Sequence, residues 1–256
     1  MVMDESELQY GELSYERRIV AYFDVLGWRS EIEQAANDPR RIARIAMVPQ
    51  LFRRTISGMA GQVSGAHLTS FSDSVIVSIP YEADRLQLSL EGLAKIQLGT
   101  AFAGFWLRGG ITIGPLVHNE VFVFGPALNR AHELESKIAK YPRILIDRDI
   151  EEFSKIETDF VHSDAGWRFT DPFNMTFIDR AVRAHVDSAL IARFNERANT
   201  TIPPVPARVT SELLLSAVLQ RVEGELKNAS RPKDREKHVW LFNRIAPRLG
   251  LARRMG

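Results

Sequence analysis

Two aspartates give this sequence its first chemical suggestion. Asp24 sits near the end of the run Arg18-Ile19-Val20-Ala21-Tyr22-Phe23-Asp24-Val25-Leu26-Gly27. A carboxylate inside such an apolar run loses its hydration, which is unfavourable unless something cationic meets it. Asp73 lies in the polar group Ser72-Asp73-Ser74, between apolar stretches. Two such carboxylates brought side by side would repel each other. A divalent cation removes that repulsion, and Mg²⁺ or Mn²⁺ prefers carboxylate oxygen. Each aspartate alone also has a local reading: Asp24 as the cap of a following helix, Asp73 as an ordinary Asp turn.

The elements that would position the pair can be read from periodicity. Residues 18–27 are short, β-branched and aromatic, and Gly27 closes them, as in a buried central strand. A helix is expected over 39–60, with Ile42, Ile45, Ala46 and Phe52 on its apolar face and Pro39 in its first turn. Residues 67–79 read as two strands around the Ser72-Asp73-Ser74 turn, followed by a helix over about 83–103. Residues 106–114 and 117–124 read as two further strands. Gly125-Pro126 opens a helix to about Lys140, and residues 143–147 form a short strand. This order is an α+β layout, one sheet with helices packed on it. Residues 181–197 and 211–227 read as amphipathic helices flanking the loop Thr200–Pro206, and the stretch from Lys227 to Gly256 is dense in Lys and Arg. The expected division is a polar lead-in (1–17), a main domain (18–180) and a C-terminal helical extension (181–256).

Composition narrows the setting. The chain has 256 residues, 45% hydrophobic and 25% charged, which is ordinary for a globular protein. Its formal net charge of +1 favours no particular partner. Without cysteine it can form neither disulfides nor thiolate metal sites, which fits a reducing compartment. The N-terminus lacks the apolar core of a secretory signal, and no apolar run approaches the roughly 20 residues of a membrane span. A cytoplasmic protein with no membrane contact is expected. His67, His118, His132 and His162 show no metal-like spacing, and Trp28 and Trp106 read as packing residues. No aromatic interleaving accompanies the basic tail, so no nucleic acid is expected as a partner.

Four segments together resemble a known family. Tyr22-Phe23-Asp24-Val25-Leu26-Gly27-Trp28 resembles the Phe-x-Asp-Ile-x-Gly-Phe opening of class III nucleotidyl cyclases. Phe71-Ser72-Asp73-Ser74 is similar to their second metal-binding hairpin. Leu107-Arg108-Gly109-Gly110-Ile111-Thr112-Ile113-Gly114 resembles their Arg-x-Gly-Ile-x-x-Gly strand. Gly125-Pro126-Ala127-Leu128-Asn129-Arg130-Ala131 resembles their Gly-x-x-Val-Asn-x-Ala helix start. All four occur in the family's order, across about residues 18–147. The resemblance implies a ferredoxin-like βαββαβ core and two divalent ions, Mn²⁺ or Mg²⁺, on Asp24 and Asp73 with the Val25 carbonyl. One ion would acidify the ribose 3′-hydroxyl, and the other would offset charge on leaving pyrophosphate. It implies nucleotide contacts at Phe23, Leu26, Gly27 and Trp28, where the amides of 26–29 would cradle phosphates. It also implies a homodimer with shared sites, in which Asn129 orients the ribose from across the interface.

Departures from the family bear on the substrate. Adenylyl cyclases read their base with a Lys four positions before the second metal Asp and an Asp seven before the Asn. Those positions hold Thr69 and Phe122 here. Losing both polar readers argues against ATP, and the bulk of Phe122 favours a smaller base. The pattern resembles the bacterial anti-phage pyrimidine cyclases of the Pycsar type, which make cyclic UMP or cyclic CMP. UTP is preferred as substrate, with CTP and a purine triphosphate as alternatives. The family's transition-state Arg is replaced by Glu133, which leaves a catalytically inactive nucleotide-binding module as a further alternative. Arg130, beside Asn129, ranks first among the cations that could take its place, ahead of Arg108, Lys137 and Arg143.

Overall fold

The computed structural model describes residues 13–60, 64–185 and 210–254. The loop Thr200–Pro206 and most of the helix expected over 181–197 lie outside the described residues. The central strand is β1 (Glu16–Leu26), which pairs antiparallel with β3 (Ser74–Pro80) on one side and β4 (Trp106–His118) on the other. The sheet runs β2-β3-β1-β4-β6-β8-β7, with β5 (Val123–Phe124) joined to β4 off this path. Here β2 is His67–Phe71, β6 is Ile144–Ile146, β7 is Val161–Asp164 and β8 is Trp167–Thr170. The α+β layout expected from the sequence is the one observed.

Strand alternation divides β1 between two environments. Ile19, Ala21, Phe23 and Val25 enter the main core beneath α2 (Pro39–Ala60) and α3 (Leu86–Ala103). Val20 and Tyr22 face the other way, toward Ala127, Leu128 and Ala131 of α4 (Pro126–Glu133). Asp24 has the parity of this second face. Glycine lets α4 sit close to the sheet: a Cβ on Gly110 would lie 2.4 Å from the Cβ of Leu134 and 2.6 Å from the Ala131 carbonyl.

Four elements depart from the sequence reading. First, β4 does not break at Gly114-Pro115 but runs on to His118, and β5 is only two residues long. The reason lies in the ladder. The Gly109 N–H points toward β6, donating to the Arg143 carbonyl at 3.1 Å. Pro115 has the same orientation, yet β6 pairs only with Gly109–Ile111, so its missing N–H interrupts nothing. Second, α1 (Trp28–Ala35) follows Gly27 directly and was not foreseen. Third, α4 gives way to a π-helical turn, Leu134–Ile138. Fourth, between Asp147 and residue 181 lie α5 (Glu151–Ser154) and the β7–β8 hairpin, too short to show periodicity, and α6 (Met175–His185) begins six residues before the helix expected from 181, with Phe177, Ile178 and Ala181 in the core.

In the C-terminal stretch, α7 (Ser211–Asn228) matches the expected helix, and the Thr210 hydroxyl caps it by accepting from the Leu213 N–H at 3.2 Å. The basic stretch contains α8 (Pro232–Ile245), whose Leu241, Phe242 and Ile245 join the same core cluster as α3. Among the described residues, no helix is long and apolar enough to cross a membrane.

Candidate active site

Asp24 and Asp73 meet at one end of the sheet. The β2–β3 turn is two residues long, and its first residue, Ser72, is left-handed at φ 55°. Asp24 is the cross-strand partner of Ser74, and the Val25 N–H donates to the Asp73 carbonyl at 2.9 Å. The hydroxyls of Tyr22 and Ser74, 2.7 Å apart, pin the two strands beside the acids. Burial pushes the Asp24 carboxyl above the usual carboxylate range; Arg108 opposes that rise and the neighbouring Asp73 charge reinforces it. The two acids therefore sense each other.

Each has a different cationic environment. Arg108, directly across from Asp24 on β4, donates from Nη2 to Asp24 Oδ2 at 3.1 Å and from Nε to Glu135 Oε1 at 2.6 Å. Glu135 sits in the π-helical turn and is also held above the usual range by burial. Among the described residues, no side chain bonds or pairs with the Asp73 carboxylate. The donor set suits a hard divalent cation: two adjacent carboxylates whose repulsion it would relieve. Among the described residues, no group of three or more acidic, His or Cys side chains could hold a metal. Two carboxylates are a number Mg²⁺ can take, with substrate phosphates and water completing its shell.

The other residues expected at the site divide into two sets. Gly27 is left-handed at φ 76° and precedes α1 without any side-chain cap, so the first-turn amides of α1 stay available beside Asp24. Leu26 is half-buried at the same strand end. Phe23 corrects the expectation. It is fully buried on the opposite face, ring to ring with Phe52 at 5.3 Å, and its side chain cannot reach a ligand near Asp24. The Val25 side chain is buried on that face too, so only its backbone is available to a cation. The Trp28 ring packs on Phe105 at 5.7 Å, which leaves its amide as the group beside the acids.

Asn129 and Arg130 do not converge on Asp24 within one chain. Asn129 is exposed on α4. Arg130 grips Asp147 through Nε (2.9 Å) and Nη2 (2.7 Å), and Nη2 also reaches Asp149 at 2.5 Å. Thr112 donates to the same Asp147 carboxylate at 2.8 Å. Thr112 lies four residues along β4 from Arg108, roughly 13 Å by strand rise. The hydrogen bonds Arg130 donates to Asp147 raise its pKa further, so this cation is committed to an internal acid.

At the far corner of the same sheet face lies a second polar cluster. Thr69 Oγ1 is 2.9 Å from His118 Nε2, and Ser78 Oγ is 2.8 Å from His118 Nδ1. Arg18 Nε donates to Ser78 Oγ at 2.9 Å. Phe122 is half-buried, four residues beyond His118, with its N–H accepted by the Asn119 side chain at 2.7 Å. Spacing along the chain does not single out His118, because the residues of its cluster come from three other strands. Burial lowers its pKa to about 4, and the ring of His67 and the charge of Arg18 add to the effect. Below pH 6.5 the unfolded chain takes up a proton that folded His118 refuses, so stability contributed by the neutral ring falls between pH 6.5 and about 4. The full loss is about 3 kcal/mol. Urea midpoints compared between pH 7 and pH 5 should fall more for the wild type than for His118→Gln; equal falls would refute the assignment.

No protein-family model matches the chain, and no curated protein matches it. Solved structures that resemble it include the monomeric guanylyl cyclase domain of the RhoGC fusion protein from the aquatic fungus Blastocladiella emersonii. That pair shares 16% identity over 61% of this chain and 94% of the other, with a TM-score of 0.43. The catalytic core of a rhodopsin-guanylyl cyclase with converted specificity, in complex with ATPalphaS, shares 17% over 62% and 97%, at 0.43. The adenylyl cyclase CyaB from P. aeruginosa shares 13% over 61% and 93%, also at 0.43.

Proposed function

We propose that this chain is a nucleotidyl cyclase that converts UTP to 3′,5′-cyclic UMP and pyrophosphate. The observation that carries the reading is the meeting of Asp24 and Asp73 across the β1–β3 pair, with no described cation on Asp73. When bound there, two Mn²⁺ or Mg²⁺ ions would acidify the ribose 3′-hydroxyl and offset charge on the departing pyrophosphate. The chain's own residues do the rest. The first-turn amides of α1 hold the phosphates. Arg108, shared between Asp24 and Glu135, aims the Asp24 carboxylate and opposes its protonation.

The exposed Asn129 serves the site of a second copy, orienting the ribose, and Arg130 positions α4 through Asp147. A homodimer is supported by apolar side chains left on the surface: Phe71 is 82% exposed at the turn beside Asp73, and Val121 is 77% exposed on the β4–β5 connection. Phe122 and Thr69 replace the polar readers of a purine, which favours a pyrimidine base. In this reading the product is a second messenger for anti-phage defence. The test is incubation with each of the four ribonucleoside triphosphates and Mn²⁺, with product identification by mass spectrometry. Cyclic UMP is the expected main product. Cyclic CMP or a purine product would change the substrate. No cyclic product from any of the four would leave a nucleotide-binding module.

A further inference from the structure

Strand register and helix phase bring a cation from the C-terminal stretch over the paired acids. Asp24 is level with Arg108 across β1 and β4, and Ile144 is level with both Gly109 and Thr170. Asp24, Arg108, Arg143 and Asp171 therefore form one row across the ends of β1, β4, β6 and β8. Helix α8 runs along this row. Arg244 reaches Asp171 at the β8 end. Trp240 stacks on Tyr141, two residues before Arg143, with ring centroids 5.4 Å apart, and the Tyr141 hydroxyl donates to Glu236 at 3.0 Å. Seven residues make about two helical turns, so Lys237 shares a face with Arg244 and lies roughly 10 Å back along the axis. From β8 to β1 is three strand spacings, roughly 14 Å. Lys237 thus stands toward the β1–β4 end of the row. Its neighbour agrees with this: His238 Nε2 and Trp106 Nε1 both meet Glu225 Oε2, at 3.0 and 2.5 Å, and Trp106 is the cross-strand partner of Leu26.

The Lys237 side chain is 22% exposed, and among the described residues its ammonium has one acceptor, Asp234 Oδ1 at 3.5 Å. Asp234 is held more closely by Arg231, at 2.6 Å. An ammonium with three donors and one long bond, mostly out of water, is under-satisfied. Its charge is felt at Asp24, where it opposes the rise caused by burial, yet the two form no ion pair. We propose that Lys237 is the cation through which the C-terminal extension binds the terminal phosphates of a nucleoside triphosphate held at Asp24 and Asp73. This rests on the reading of that pair as the triphosphate end of the site. A lysine suits the task, because its ammonium is a compact point charge with rotatable donors on a flexible stem. The extension then completes the site of its own chain, whereas the exposed Asn129 serves that of a second copy.

Equilibrium binding of inorganic triphosphate with Mg²⁺ tests this without a base or a reaction. Lys237→Met keeps the apolar stem and removes the charge. It should weaken binding about tenfold or more, while Lys237→Arg keeps most of the affinity. Arg235→Met removes an exposed charge from the other side of α8 and should leave binding unchanged. An equal loss in Arg235→Met would reduce the effect to general charge and overturn the proposal. A second measurement needs no variant. In the wild-type protein, Mg²⁺ with triphosphate should slow acylation of Lys237 severalfold relative to the exposed Lys233, read by peptide mass spectrometry. If Lys237 only holds α8 in place, Lys237→Met will lower the melting temperature while affinity and acylation stay unmoved, and the proposal fails. The two readings fail differently. Binding that Asp73→Ala abolishes and Lys237→Met leaves intact removes Lys237 and keeps the paired acids. Binding that Lys237→Met weakens and Asp73→Ala does not would refute the acids as the triphosphate end and leave Lys237 a phosphate-binding cation. If triphosphate does not bind at all, both fall.

Discussion

Asp73→Ala is expected to lower cyclic-nucleotide formation roughly a thousandfold or more, the scale of losing one metal-holding carboxylate. The same substitution should leave the melting temperature unchanged or slightly raised. Asp73 is one of the groups that hold the Asp24 carboxyl above its usual range, so removing its charge relieves a native-state repulsion. It also takes away no hydrogen bond or ion pair made to the Asp73 carboxylate by a described side chain. A residue kept only for its turn would behave in the opposite way: the protein would lose stability and much of its activity would survive. Asp73→Asn separates the two further, because asparagine keeps the turn chemistry and discards the charge. Steady-state assay of both variants beside thermal melts decides the matter. Near-normal turnover in Asp73→Asn would remove Asp73 from the metal-binding set.

The largest effect on stability is expected at Asp171. Its carboxylate is buried just past β8 and accepts from Arg248 Nη1 (2.9 Å) and Nη2 (2.5 Å) and from Arg244. These bonds tie α8 and the turn after it to the sheet. Burial pushes the Asp171 pKa up, but the hydrogen bonds and charges of Arg248 and Arg244 outweigh it and hold the group below the usual range. Asp171→Ala leaves two guanidinium groups without their counter-charge, a loss of about 3–5 kcal/mol. A chain of this length should then melt roughly 10 °C lower. Adding Arg248→Met should restore part of the loss, because it removes one orphaned charge. A melting temperature within about 1 °C of wild type would show that the docking of α8 is carried by Leu241, Phe242 and Ile245 alone. The sign with pH follows from the lowered pKa. The contribution is complete above the unfolded value near 4 and disappears as pH falls through the lower folded value. Between pH 7 and pH 5 it should therefore be flat, unlike that of His118.

Some of this molecule was legible without coordinates. Residues 18–27 could only be a central strand, because their apolar run is too short for a helix and too continuous for a one-sided sheet. The turn at Ser72-Asp73 and the helix start at Gly125-Pro126 followed from turn and cap chemistry. Periodicity failed where elements are short, as in β7, β8 and α5, or where a neighbour settles the matter, as at Pro115. Phe23 shows the limit of a motif. A run of letters names a segment, whereas alternation along the strand turns every second side chain to the opposite face.

The residue types alone determined that two carboxylates would stand at strand ends and that no thiol chemistry exists. Only the tertiary structure decided who meets whom. Arg108 lies on Asp24 because of the β1–β4 register, Glu135 reaches Arg108 because a π-helical turn resets the helix phase, and His118 meets Thr69 and Ser78 because the sheet brings β2, β3 and β4 to one corner. Such facts depend on contacts between residues many positions apart, and local propensity carries no information about those.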